Sequence, residues 1–189
     1  MIPADRDHKM TLRAGWIDLI YRIATGSRKL RTILTPVVGL SYAFLAALFG
    51  VGALILDRAL QLPLFPPAPL HLFLAVLLIA PGLLLVLWCL MNFIKVKGTP
   101  VPFNPPPVLV ASGPYAYTRN PMLSGLFLML FGLGSAFQSI SLMFLFTPLF
   151  ILLNVAEIKM IEEPELEMRL GNDYRHYRNK TPMFFPRIR

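Results

Sequence analysis

Cysteine is almost missing from this sequence: Cys89 stands alone among 189 residues. A lone thiol builds neither a disulfide framework nor a cysteine zinc site. Set in an apolar run, it reads as a small buried hydrophobe. Histidine is nearly as scarce, and His8, His71 and His176 are scattered, so no metal site is expected. Charge is in short supply too. Charged side chains make up 15% of the chain, against roughly 25% in soluble domains, too few to cover a water-facing surface. Acidic residues are the rarer sign, ten against eighteen Lys and Arg, leaving a formal net charge of +8. Such an excess can mean a nucleic-acid partner, but its distribution along the chain points elsewhere.

What fills the space is long apolar runs, on a chain whose length suggests one domain. Residues 33–56 carry no charge. As a helix at ~1.5 Å per residue they reach ~36 Å, enough for a ~30 Å hydrocarbon core with some tilt. Pro36 is expected in the first turn, where a missing N–H costs little. A second run covers 72–94, with Pro81-Gly82 near its middle predicting a kinked but unbroken helix. Lys95 and Lys97 follow, placed to snorkel toward headgroups. The third run, 122–156, is too long for one span. Gly132-Leu133-Gly134-Ser135 and Gln138-Ser139-Ile140-Ser141 supply a break, giving a hairpin over roughly 122–136 and 140–160.

Ahead of the first span, Leu12, Trp16, Leu19, Ile20 and Ile23 recur at helical spacing, with Arg13, Asp18 and Arg22 on other faces. That is the pattern of a helix lying in the membrane interface; a flexible basic tail is the competing reading. The first 32 residues are polar and the first apolar run is too long for a signal h-region, so no cleavable signal is expected. The fold class that follows is an all-α integral membrane protein with about four spans. Its parts are an interfacial segment over 1–32, two spans over 33–94, a proline-rich loop over 95–121, the hairpin over 122–160 and a helical cap over 161–189.

Basic residues set the orientation. Alternating spans put seventeen of the eighteen Lys and Arg on one side, with Arg58 alone on the other. By the positive-inside rule the N-terminus, the central loop and the C-terminus are then cytoplasmic. Orientation and anionic lipid account for the positive charge without nucleic acid.

Two polar segments flank the hairpin on that same side. The loop before it holds Pro100, Pro102, Pro105, Pro106, Pro107, Pro114 and Pro121, which exclude helix and central strand and leave a stiff, extended loop with fixed turns. Val108-Leu109-Val110 and Tyr115-Ala116-Tyr117 are too apolar for a linker meant only for reach, so the loop is expected to be ordered. Asn120 is a good N-cap and Pro121 suits the first helical position. The segment after the hairpin concentrates Glu162, Glu163, Glu165 and Glu167. Glu165 and Glu167 are expected on a solvated helix face. Glu162 and Glu163 sit at the membrane edge, where a carboxylate needs a partner, and Arg119 is within reach. Gly171 ends this helix, Asn172-Asp173 can cap the next, and Tyr174 and Tyr177 share one face of it.

The residues Leu109-Val110-x-x-Gly113-Pro114-Tyr115-x-x-x-Arg119-Asn120-Pro121-Met122, a hairpin, then Glu162-Glu163, Leu170-Gly171-x-x-Tyr174-x-x-Tyr177 and Pro186 resemble the isoprenylcysteine carboxyl methyltransferase and phospholipid methyltransferase superfamily. The resemblance covers roughly 98–187. It implies an S-adenosylmethionine site on the cytoplasmic side, lined by Leu109, Val110, Gly113 and Tyr115, with Arg119 and Asn120 beside it and Glu162, Glu163 and Tyr174 closing it. Arg119 and Glu163 are the expected catalytic residues. The sequence departs from the family where it has Asn120 in place of a common His, Leu123 in place of Tyr, and Thr181-Pro182-Met183-Phe184 in place of a Val-Pro-Arg-Trp type motif. Lys180 is the nearest basic replacement for the missing arginine.

Methyl transfer from a sulfonium disperses positive charge, so a protein mostly has to align donor and acceptor and exclude water. A site at the bilayer edge does this for a lipophilic acceptor arriving from the membrane: a prenylcysteine-like carboxylate, a lipid amine or a small lipophilic molecule. A carboxylate acceptor needs no base. An amine or thiol does, and Glu163 is the expected one. The alternatives are an NADPH-dependent sterol-type membrane reductase, which shares the Gly-x-x-aromatic-x-x-Tyr pattern, and a non-enzymatic small membrane protein.

Overall fold

The computed structural model describes residues 12–96, 99, 104–106 and 108–185. Expectations placed on Arg6, Lys9, Lys97, Pro100, Pro102, Pro107, Pro186, Arg187 and Arg189 lie outside these residues. Among the described residues the chain is helical, without strands.

The amphipathic stretch forms α1, Leu12–Thr25. Ser27 accepts from the Leu30 N–H and starts α2, Arg28–Ala59, only two residues later. Because the cap lies ahead of the apolar run, Pro36 falls inside α2 rather than in its first turn, which corrects the sequence expectation. The second run forms α3, Leu70–Lys95, uninterrupted at Pro81. The third run divides as expected. Helix α4, Pro121–Ala136, stops at a tight turn where Gln138 takes a positive φ. A continuous helical rod then runs from 140 to 170. It contains a π turn at Leu142–Phe146, α5 at Thr147–Glu157, a second π turn at Ile158–Glu162, and α6 at Glu163–Leu170. Gly171, at φ 58°, reverses the chain into α7, Asn172–Lys180.

Three helical stretches, Lys29–Ala59, Leu70–Lys95 and Leu142–Leu170, are long and apolar enough to cross a membrane. Helix α4 is apolar but has only 16 residues, ~24 Å at the standard rise. It lies along α3 in the most extensive helix pair among the described residues. The pair approaches backbone to backbone. A Cβ added at Gly82 would stand 2.6 Å from the Gly125 carbonyl oxygen, and one at Gly125 would stand 2.7 Å from that of Gly82. Lipid gives helices little hydrophobic reason to associate, so small residues that permit such approach supply the packing. A polar contact joins α2 to α5: the Tyr42 hydroxyl donates to Asn154 Oδ1 at 2.6 Å, while Asn154 Nδ2 donates to the Phe150 carbonyl. Around it Phe127, Leu130 and Phe150 form a core with Phe49 and Phe184 against them.

The two ends of the bundle differ. At one end the 60–69 connection meets the hairpin turn. At the other, α1 packs on α6 and the second π turn. Ile20 and Ala24 of α1 are buried, and Trp16 and Leu19 stay exposed. Over its described length α1 is thus a packed helix rather than a flexible tail. The functional residues named from the sequence collect at this second end.

Candidate functional site

Ordered loop structure is what the proline-rich segment delivers, though it is not extended throughout. A 3-10 turn at Gly113–Ala116 folds back onto α3. Val110 and Tyr115 are buried there with Cys89 and Phe93, and Phe93 and Tyr115 pack edge to face at 5.5 Å. Gly113 holds φ 59°, and a Cβ on it would lie 2.1 Å from Asn92 Nδ2. Only glycine fits both demands.

The C-terminal segment straps this loop to α4. The Arg119 N–H donates to the Pro182 carbonyl at 2.8 Å, and the Asn120 N–H to that of Met183 at 3.1 Å. Thr118 Oγ1 and Asn120 Nδ2 donate to the Met183 carbonyl as well. Asn120 occupies the N-cap position of α4, but its side chain makes no capping bond, because the strap takes it. Phe184 anchors the strap against Phe127 at 5.5 Å.

Between loop, α4, the π turn, α6 and α7 lies a cleft of about 760 Å³ with its open mouth included. Seven of the nine residues expected to hold the cofactor line it: Leu109, Val110, Tyr115, Arg119, Asn120, Glu162 and Tyr174. Gly113 does not; it stands behind the wall, against Asn92. Nor does Glu163, which is engaged by Arg119 Nη1 through its Oε1, with both side chains only 12–13% exposed. Arg178 Nη1 lies 4.0 Å from its other oxygen. The expected meeting of Arg119 with the paired carboxylates therefore occurs, and Glu163 is the partner. Glu162 faces the cleft and forms no ion pair among the described residues.

Glu165 corrects the sequence expectation outright. It is 2% exposed, lines the cleft, and binds Arg169 Nε at 2.8 Å. The reason is helix phase. Glu162 follows Ile158 by four, Glu165 and Leu166 follow Glu162 by three and four, and Arg169 follows them by four and three, so one face of the rod carries them all into the cleft. Glu167 lies on another face and pairs with Arg175 and Arg178 of α7, a partly exposed network. Sequence reasoning missed Glu165, Leu166, Arg169 and Tyr177 on these walls; the 3–4 steps onward from Glu162 were the available signal for the first three, and the step of three from Tyr174 for Tyr177. Phe93, from the end of α3, had none.

Three phenols complete the walls. Burial pushes the Tyr115, Tyr174 and Tyr177 hydroxyls above the usual phenol range, so they remain neutral donors. Tyr177 spends its proton on the Tyr115 carbonyl at 2.7 Å. Tyr174 is raised further by the Glu163 carboxylate, with Arg119 opposing.

In charge the arrangement is simple. Two arginines are each neutralised by a glutamate, and one carboxylate is left over. Among the described residues no three His, Cys, Asp or Glu side chains are grouped to hold a metal ion. An open-mouthed, partly apolar cleft with one acidic side chain outside any ion pair suits an organic cation, which would favour the ionised form of that side chain, and its position at the end of apolar helices suits a lipophilic second reactant.

The nickel-cobalt-cadmium resistance protein NccN of Alcaligenes xylosoxydans xylosoxydans is 32% identical over 102 residues, which are 54% of this chain and 43% of that protein. This chain thus spans less than half of that relative's length. No solved structure matches. The family model described as phospholipid methyltransferase matches residues 70–173, more than half of the chain, from the start of α3 into α7. The chain belongs to the phospholipid methyltransferase family of membrane methyltransferases.

Proposed function

We propose that this chain is an S-adenosylmethionine-dependent methyltransferase acting at the cytoplasmic membrane face on a lipophilic acceptor. One observation carries the reading: the cleft at the membrane edge has a single unpaired carboxylate, Glu162, between two arginines already matched by Glu163 and Glu165. Bound in such a cleft, the cofactor would supply a methyl group activated by a sulfonium. Its net charge is one unit more positive than that of the demethylated product, and Glu162, ionised beside it, would be its complement.

The chain's own residues then have distinct tasks. Leu109, Val110 and Tyr115 give a dry, apolar wall that excludes water. Arg119, clamped by Glu163 and by the strap on its backbone, fixes the corner where loop, α4 and α6 meet. Asn120 is held by the same strap beside it. Gly113 acts from behind, by letting the loop seat on Asn92. Because Arg119 occupies Glu163, the carboxylate free to receive a proton from an amine or thiol acceptor is Glu162. A carboxylate acceptor would ask for none. Four spans, with the short α4 as one of them, and both termini on the cytoplasmic side follow from the split of basic residues.

The test is direct. Purified full-length protein in lipid nanodiscs is titrated with S-adenosylmethionine, S-adenosylhomocysteine and NADPH by calorimetry and by thermal unfolding. Both adenosyl ligands are expected to bind and to stabilise the fold by ~2.7 kcal/mol at a hundredfold excess over Kd. Binding of NADPH alone would replace this reading with a membrane reductase. Silence toward all three would favour a non-enzymatic role.

A further inference from the structure

The buried Glu165–Arg169 pair has no place in the mechanism above, yet it lies in the cleft rather than in water. An i, i+4 pair on a helix at the membrane surface gains little from burial, because desolvating both charges costs more than their contact returns unless other bonds compensate. Glu165 is nevertheless 2% exposed and the Arg169 side chain 13%.

Arg169 is held at two points. Its Nε is bound to Glu165 Oε1 at 2.8 Å, and Nη1 reaches the Pro106 carbonyl at 3.5 Å, long for a hydrogen bond. A guanidinium has five N–H groups in a planar fork. Pinned at Nε by a buried carboxylate, it keeps its two terminal nitrogens in a fixed plane, an arrangement suited to bidentate contact with a carboxylate.

Position along the rod gives this fork a meaning. The rod emerges from the apolar run and ends at Leu170. Glu162 and Arg169 are seven residues apart on its cleft-facing side, ~10 Å along the axis, with Glu162 nearer the membrane. An anion-binding group and a cation-binding group are thus presented in a fixed order, the first farther from the bilayer.

We propose that Arg169 is a specificity-determining residue that binds the carboxylate of the amino-acid end of the methyl donor, its guanidinium oriented by Glu165, and so turns the sulfonium toward Glu162 and the bilayer. The assignment rests on the donor reading given above. It explains why a charge pair of no use to the surface is kept inside: the pair is neutral as a unit, so it recognises the zwitterion's carboxylate without adding net charge to a cleft that must take a cation.

The experiment compares three ligands on the full chain in nanodiscs: S-adenosylhomocysteine, its decarboxylated analogue 5′-(3-aminopropylthio)-5′-deoxyadenosine, and 5′-methylthioadenosine, which lacks the amino-acid end. Wild type should prefer the first over the second by about tenfold or more, the usual strength of a charge-assisted contact. In Arg169→Gln that preference should vanish through loss of S-adenosylhomocysteine affinity, with the other two ligands unchanged within about twofold. Because that variant strands a buried Glu165, the double variant Arg169→Gln/Glu165→Gln is the folded control, and it should show the same loss of discrimination.

A carboxylate preference that survives either variant overturns the proposal. So does an equal weakening of all three ligands, which would make Arg169 a latch on the Pro106 loop. If S-adenosylhomocysteine fails to bind wild type, the donor reading falls and this inference with it. If it binds and the preference persists without Arg169, only the inference falls.

Discussion

The two ends of the bundle spend their polar groups in different ways. At the hairpin-turn end, every polar contact returns to the chain's own backbone or helps to cap a helix. Asp57, at the end of α2, accepts from the Ser141 N–H at 3.0 Å and from the Ser139 hydroxyl, and Ser139 Oγ accepts in turn from the Leu142 N–H at 3.0 Å. Gln138 Nε2 donates to the Pro66 carbonyl at 2.8 Å, and the Phe65 N–H to that of Gln138 at 3.1 Å. Ser135 closes the set on the His71 carbonyl. Such an end is a clasp: it caps the long rod and fixes the 60–69 connection, with little left for a ligand. The cleft end makes strong bonds too, but leaves Glu162 without an ion pair among the described residues.

The largest break in this comparison should come from the Arg119–Glu163 pair. With both side chains mostly buried, removing one strands the other. Arg119→Ala and Glu163→Ala are each expected to cost ~3–5 kcal/mol in stability and to abolish adenosyl-ligand binding. The double variant should lose much less than the sum. Thermal unfolding and calorimetry on the three proteins check this. Additive losses would mean that the two residues act separately.

A smaller effect sharpens the charge argument. Glu162→Gln keeps the shape of the cleft and removes the acidic group there that has no ion pair among the described residues. Affinity for S-adenosylmethionine should then fall by roughly tenfold, ~1.5 kcal/mol, more than affinity for the less positive S-adenosylhomocysteine. Equal losses for the two ligands would show that Glu162 does not face the sulfonium.

The clasp and the cleft were not equally legible from sequence. Helix positions, the hairpin break and the meeting of Arg119 with the Glu162-Glu163 pair all followed from apolar run lengths, turn residues and the cost of charge at a membrane edge. Pro36 was misplaced by one physical oversight: a helix starts at its cap, here Ser27, and not where its apolar run begins. Glu165 was misjudged because four acidic residues in six positions look like one solvated face. Phase separates them, carrying Glu162 and Glu165 inward and Glu167 toward α7. The strap and the role of Gly113 were out of reach, since both depend on backbone bonds and close approaches between segments more than sixty and twenty residues apart, respectively. Asp57 was hidden by its position just past the end of a charge-free run.

Asp57 provides the last and smallest test, because it belongs wholly to the clasp. Its carboxylate supplies the cap of the 140–170 rod, accepting the Ser141 N–H, and the hydroxyl of Ser139 that it holds supplies the next. Losing a cap of this kind typically costs ~0.5–2 kcal/mol. Asp57→Ala should therefore lower stability by about 1 kcal/mol, read as a modest fall in Tm in nanodiscs. Its Kd for S-adenosylhomocysteine should match wild type, since the clasp lies at the far end of α5 and α6 from the cleft and shares no side chain with it. Asp57→Asn, which keeps an acceptor oxygen, should recover part of the stability. A large loss of ligand affinity in Asp57→Ala, with the fold intact, would show that the rod transmits changes from one end to the other. The division of the molecule into a closing end and a binding end would then be wrong.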